Sequence, residues 1–188
     1  MKRPVLLVID MLNDFFQSGP LAERRSVLVR SINDLVALFR GREWPIVWIR
    51  QEFAPDLSDA FLTMRDHGKT ITIAGTDGCQ ILSELDCQVT DPVVVKKRYS
   101  AFFETNLAEL LATLQPDSLV MAGINSHACV RMTVIDAYQR NYRVVIAAEA
   151  VASYDEEHHR ITLRYLGEEM AQVLTHAELF AAAREIAR

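Results

Sequence analysis

Short apolar runs alternate along the chain with longer stretches in which apolar residues recur every three or four positions. The first run, Val5-Leu6-Leu7-Val8-Ile9, is continuous and ends at Asp10, as a strand buried on both faces would. From Ser26 to Arg40 the apolar positions Val29, Ile32, Leu35, Val36 and Phe39 fall at helical spacing, and Gly41 stands where a helix stops. Further strands are predicted at Pro45 to Ile49, Pro92 to Val95, Leu119 to Ala122, Val144 to Ala148 and Ala171 to Leu174. Helices are predicted over 77–85, over 107–114 with Thr105 as N-cap, and over about 128–140, 155–167 and 177–187. Residues 51–76 show no period and contain Pro55 and Gly68, so they read as a long functional or packing loop.

Strands alternating with helices imply an α/β fold, a parallel sheet covered on both faces. Right-handed crossovers make it doubly wound. A chain of 188 residues suits one such domain, 1–188, and it shows no repeat, low-complexity tract or linker. In open sheets of this kind the site lies beyond the carboxyl ends of the strands. That rule brings three residues to one rim: Asp10 after the first strand, Lys96 at the end of the third, and Cys129 near the start of the helix after the fourth.

The stretch Ser118 to Asp136 carries the sharpest signal. An apolar run is broken by Gly123, a polar turn Asn125-Ser126-His127 follows, and Cys129 falls in the first turn of the next helix. Unpaired N–H groups and the helix dipole there favour a thiolate. The same position also suits a small buried hydrophobe, which is what most free cysteines are. Lys96 would lower the thiol pKa further, and Asp10 would accept its proton and later activate water.

Composition narrows the classes. Half the residues are hydrophobic, and the formal net charge of −5 gives no electrostatic case for nucleic acid or an anionic membrane. No apolar run approaches a membrane span. The N-terminus is interrupted by Asp10 and Asp14, with no small-residue cleavage site after it, so a signal peptide is not expected. Cys79, Cys87 and Cys129 are odd in number and lack CxxC spacing, which argues against a disulfide framework and a structural zinc site. A reducing cytoplasm is the expected compartment. The turn after the first strand lacks the glycine spacing of a dinucleotide-binding loop.

Three segments, LLVIDMLNDFF (6–16), VVVKKRYSAFFETNL (93–107) and GINSHACVRMTVIDAYQRNYRVVIAAEAVAS (123–153), resemble the isochorismatase-like cysteine hydrolases. That superfamily includes nicotinamidase, N-carbamoylsarcosine amidase and ureidoacrylate amidohydrolase. The resemblance implies a three-layer α/β/α sandwich with a six-stranded parallel sheet and a triad of Asp10, Lys96 and Cys129. Lys96 is preferred to Lys97 because the family's lysine stands three residues before the Tyr99-to-Phe102 segment. The resemblance further implies a cis peptide bond between Ile124 and Asn125. An oxyanion hole from the backbone N–H groups of Asn125 and Cys129 would follow. It also implies a homodimer or homotetramer acting on a small-molecule substrate without cofactor.

The chain departs from nicotinamidases after its second strand. Their metal site is built largely from an Asp-x-His pair there, whereas this chain reads Arg50-Gln51-Glu52-Phe53-Ala54-Pro55-Asp56, with no histidine until His67. A metal-independent amidohydrolase for a small amide or ureido compound is therefore expected. The alternatives are an isochorismatase-type vinyl ether hydrolase with Cys129 idle, and an inactive paralogue that binds a small molecule. Asn13, Phe15, Gln51, Phe53 and Tyr99 are candidates for lining the pocket. Arg131 is placed to anchor a carboxylate or face another subunit. His127 is too near Cys129 along a helix to form a dyad and is expected at the pocket mouth. His158 and His159 are expected in solvent, and Cys79 and Cys87 in packing.

Overall fold

Strand β1, Pro4–Ile9, lies at the centre of a six-stranded sheet and is buried along its whole length. The computed structural model describes residues 1–185. Strand β1 pairs in parallel with β2, Ile46–Gln51, on one side and β4, Ser118–Gly123, on the other. Beyond them lie β3, Val93–Lys96, next to β2, and then β5, Val144–Val151, and β6, Ala171–Leu174. The order is β3-β2-β1-β4-β5-β6, and every pairing is parallel.

The helices are α1, Gly19–Arg40; α2, Leu62–Asp66; α3, Leu107–Leu114; α4, Arg131–Gln139; α5, Glu156–Glu169; and α6, His176–Glu185. Alternate side chains of a strand point to opposite faces, so each face of β1 has its own core. Leu6 and Val8 pack with Ile32, Leu35 and Val36 of α1 and Leu179 of α6. Val5, Leu7 and Ile9 pack with Leu111 of α3, Val134 of α4 and Leu166 of α5. The result is a three-layer α/β/α sandwich. Among the described residues no helix is long and apolar enough to cross a membrane.

Several elements differ from the sequence expectation for identifiable reasons. Helix α1 starts at Gly19, before Ser26, because Pro20 falls in its first turn, where a missing N–H costs nothing. Strand β3 alternates, with Val93 and Val95 exposed and Val94 and Lys96 buried, as suits a sheet edge. The helix expected over 77–85 is one 3₁₀ turn, Asp77–Cys79. Residues 80–82 then run alongside residues 11–13, with Leu82 N–H donating to the Met11 carbonyl, and a turn follows in which Leu85 N–H donates to the Leu82 carbonyl. Residues 51–76 are not without structure: they hold α2, and Phe53 pairs with Ile73. The closing helix is described to Glu185, and Ala187, its expected end, lies outside the described residues.

The chain leaves β1 toward β2 and leaves β4 toward β5, so a crevice opens between the carboxyl ends of β1 and β4. Gly123 sets how closely those ends approach. Its φ is +108°, and a Cβ there would stand 2.0 Å from the Ile9 carbonyl oxygen. Only glycine satisfies both conditions.

Candidate active site

Asp10 is the first residue past β1, with φ +53°, a left-handed conformation that aspartate tolerates better than most side chains. Its N–H donates to the Ile49 carbonyl at 2.9 Å, and its Oδ1 accepts the Gln51 N–H at 2.9 Å. Gln51 is in register with Lys96 on β3. Strand β2 therefore holds the carboxylate from one side and spaces the lysine from the other. Lys96 Nζ stands 2.7 Å from Asp10 Oδ2 and 3.3 Å from Cys129 Sγ, and donates to the Arg98 carbonyl at 3.1 Å. Exposure is 1% for Asp10, 0% for Lys96 and 5% for Cys129, so the three groups meet out of water. Lys97 points away and pairs with Asp59 at 3.0 Å.

Cys129 lies in a π-helical turn, Ser126–Val130, that precedes α4 and replaces the α-helical start expected from the sequence. Both Ala128 N–H, at 3.0 Å, and Val130 N–H, at 3.2 Å, donate to the Asn125 carbonyl. The Ile124–Asn125 peptide bond leading into the turn is cis. Thr133 Oγ1 donates to the Cys129 carbonyl at 2.7 Å and accepts the Ala101 N–H at 3.0 Å. The segment that follows Lys96 is thus tied to the helix that carries the cysteine. Sequence reasoning missed Thr133, although it stands one helical turn after Cys129.

Burial works against the thiolate that the place of Cys129 near a helix start favours. Burial pushes the Cys129 pKa up to about 12, and the Asp10 carboxylate adds to the rise; Lys96 pulls the other way and is outweighed. Burial also works to lower the Lys96 pKa, but Asp10 and Cys129 overcome it, and the ammonium stays above its ordinary value. The sulfur thus sits 3.3 Å from Lys96 Nζ, beside a close Asp10–Lys96 pair.

Above Cys129 is a cavity of about 330 Å³. Of the residues proposed from sequence to line it, Phe15, Gln51 and Tyr99 do, together with Asn125, His127 and Cys129. Asn13 does not: its side chain donates to the Asp77 carbonyl at 2.9 Å. Phe53 does not either, because it is fully buried in a small cluster with Ala60 and Met64. The remaining wall comes from α2 and the turn after it, including Phe61, Met64, His67 and Lys69. Five helical residues are too few for a periodic signal, so sequence patterning passed over that wall.

The histidines also sort out. His127 Nδ1 is 2.6 Å from Ser153 Oγ, and its ring lies edge-on to Tyr154 at the cavity. His158 is exposed and pairs with Asp155 at 2.8 Å. His159 departs from expectation: it is half-buried, and its Nδ1 stands 2.8 Å from Oγ of the fully buried Ser126, directly behind the cysteine turn. The Arg131 guanidinium lies over the Tyr165 ring, 5.2 Å from its centroid. Cys79 is buried, and its Sγ lies 3.2 Å from the Thr76 carbonyl. Cys87 is half-buried, with its pKa pushed up to about 11 by burial.

The side chains past β2 do not suit a metal ion. Glu52 is held by Arg50 at 2.8 Å, and Asp56 Oδ1 accepts both the N–H and the hydroxyl of Ser58. Among the described residues no three His, Cys, Asp or Glu side chains gather into a group that would hold one.

A doubly wound parallel sheet with Asp, Lys and Cys meeting at its switch point is the architecture of a small α/β hydrolase. The isochorismatase domain model matches residues 4–178, and the chain belongs to that family. It is 33% identical over 184 residues to the phenazine biosynthesis protein PhzD1 of Pseudomonas aeruginosa, covering 95% of this chain and 85% of that one. It is 32% identical over 166 residues to a protein of Arabidopsis thaliana named a probable inactive nicotinamidase, covering 84% of this chain and 85% of that one. Among solved structures it superposes on N-carbamoylsarcosine amidase from Thermoplasma acidophilum with a TM-score of 0.77 at 28% identity, covering 92% and 96% of the two chains.

Proposed function

We propose that the protein is a metal-independent cysteine hydrolase that cleaves a C–N bond of a small amide or ureido compound. The observation that carries this reading is the position of Lys96 Nζ, 2.7 Å from Asp10 and 3.3 Å from Cys129, beneath a cavity of about 330 Å³. Similarity to an N-carbamoylsarcosine amidase supports the amide side of the proposal.

The raised thiol pKa defines the first step. Substrate enters with the sulfur still protonated, and Sγ attacks the carbonyl carbon as its proton passes to Asp10. Lys96 stays charged and stabilises the negative charge that moves between sulfur and carboxylate. The carbonyl oxygen becomes an oxyanion, received by the backbone N–H groups of Asn125 and Cys129. Collapse breaks the C–N bond, and the leaving nitrogen takes the proton from Asp10 and departs as ammonia or an amine. Water then attacks the thioester, Asp10 takes a proton from it, and breakdown releases the carboxylic acid and returns a proton to sulfur. His127 Nδ1 is held by Ser153, and this scheme routes no proton through the ring.

An ammonia-release screen over small primary amides and ureido compounds tests the proposal, with Cys129→Ala as control. Loss of turnover by about 10³-fold or more in the variant is expected. Turnover that survives the substitution would favour ether hydrolysis through Asp10 and Lys96. A second reading, a binding paralogue without turnover, draws on the protonated resting thiol and on the relative named as inactive. A complete absence of turnover across the screen would favour it.

A further inference from the structure

Ser126 opens the turn that carries Cys129, and it is sealed from water. Its backbone N–H donates to the carbonyl of Ala152, just past β5, at 2.8 Å. Among the described residues its Oγ has one hydrogen-bond partner, Nδ1 of His159 on α5, at 2.8 Å. A buried hydroxyl needs an acceptor for its proton, and Nδ1 is the acceptor present. The hydrogen-bond pattern therefore assigns His159 as the neutral tautomer, with Nδ1 bare and the proton on Nε2.

Ser126 stands between the groups that must be held in register. Asn125 precedes it, and Cys129 lies three residues on. The Asn125 carbonyl accepts the N–H groups of both Ala128 and Val130, so a rotation at Ser126 moves the sulfur and the turn's donors together. The groups that bear on His159 keep it neutral. Arg24 of α1 and His127 of the turn oppose a proton there, and Glu156, on its own helix, favours one but is paired with Arg24 at 3.0 Å. An imidazolium has two N–H donors and no acceptor. A proton on Nδ1 would thus leave the Ser126 hydroxyl proton without a partner in a dry site, a costly state for a buried donor.

We propose that His159 is a positioning residue for Cys129: its neutral Nδ1 holds the Ser126 hydroxyl and so fixes the turn, and protonation of the imidazole releases it. The effect on turnover rests on the hydrolase reading, whereas the effect on the turn does not. His159 does not line the cavity over Cys129, so it acts through Ser126 and not on the substrate. Its loss lowers kcat and leaves KM nearly as it was.

The test joins kinetics on a turned-over amide to hydrogen exchange of the turn. His159→Leu and Ser126→Ala should each lower kcat by about tenfold or more with KM changed by less than about threefold, since small displacements of reacting groups cost rate before binding. The double variant should lose no more than the worse single variant, because one bond is removed in all three. His159→Asn can place an amide oxygen where Nδ1 stands, so it should keep most of kcat. Wild-type kcat should fall on the acid side of 6.5, the ordinary histidine value, and His159→Asn, which does not titrate, should lose that fall. Additive losses in the double variant, an acid limb that survives in His159→Asn, or a His159→Asn no better than His159→Leu overturns the proposal. The second arm needs no turnover and, through Ser126→Ala, does not depend on His159→Leu folding. Deuterium uptake over Ser126–Val130 at pH 7.5 should rise in His159→Leu and Ser126→Ala and stay at the wild-type level in His159→Asn. If no amide is hydrolysed but this exchange pattern holds, the hydrolase reading fails and the positioning of the turn stands. Exchange unchanged in both His159→Leu and Ser126→Ala overturns the positioning role.

Discussion

Asp10 is fixed by the backbone of Gln51: one carboxylate oxygen accepts that residue's N–H at 2.9 Å, leaving the other 2.7 Å from Lys96 Nζ. The arrangement makes strand β2 the brace for a carboxylate that belongs to β1. It also makes the acid and the lysine a buried pair in which neither partner tolerates loss of the other.

Asp10→Asn keeps an oxygen for Gln51 but leaves the Lys96 charge buried without compensation. Removing one partner of a buried ion pair costs about 3–5 kcal/mol. Turnover should fall by about 10²–10⁴-fold with loss of the general base. Lys96→Met should be comparably destabilised. The double variant Asp10→Asn/Lys96→Met should recover much of the stability in urea unfolding and none of the activity. Additive losses in the double variant would show that the two groups are not coupled.

Cys129 should behave as a thiol at rest. With its pKa pushed to about 12, labelling by methyl methanethiosulfonate should be slow at pH 7 and rise steadily above pH 9. Asp10→Asn removes one of the two upward influences and should speed labelling at any given pH. Peptide mass spectrometry distinguishes Cys129 from Cys79 and Cys87. Fast labelling that is flat from pH 6 to 8 would instead identify a resting thiolate.

His159 gives stability a pH dependence with a definite sign. Burial lowers its pKa below the ordinary 6.5, with Arg24 and His127 working in the same direction and Glu156 against it. The unfolded chain therefore takes up a proton near pH 6.5 that the folded chain resists, and stability falls as pH drops from about 7.5 to 5.5. His127, also lowered by burial, contributes with the same sign. The urea midpoint of His159→Gln should vary less over this range than that of the wild type. Parallel profiles for the two proteins would remove His159 from the explanation.

Gly123→Ala tests the close approach of β1 and β4. The added methyl would meet backbone at 2.0 Å, in a conformation that alanine rarely adopts. A loss of more than about 4 kcal/mol, or failure to fold, is expected from a change of this kind. A variant of normal stability would mean that the crevice widens freely.

Much of this was legible in the sequence, for reasons the structure makes plain. Continuous apolar runs identified strands buried on both faces, and the carboxyl-end rule alone brought Asp10, Lys96 and Cys129 to one rim. Phe15, Gln51 and Tyr99 follow strand ends or the first turn, and they line the cavity over Cys129. Phe53 misled because a residue two past a strand end turns inward once the chain pairs with Ile73. Asn13 misled because a polar side chain near a site is as readily spent on a loop carbonyl. The helix-start argument for a thiolate assumes some solvent, and Cys129 has almost none, so burial pushes its pKa the other way. Phe61 and Met64 lie at a helix of only five residues, too short for a periodic pattern to report.

The most direct measurement is capture of the acyl-enzyme. Protein mixed with a turned-over amide and quenched in acid should carry the acyl mass on the Cys129 peptide, removable by hydroxylamine, and Cys129→Ala should carry none and release no ammonia. Steady product formation by Cys129→Ala, with no adduct on the wild-type peptide, would contradict chemistry at this sulfur.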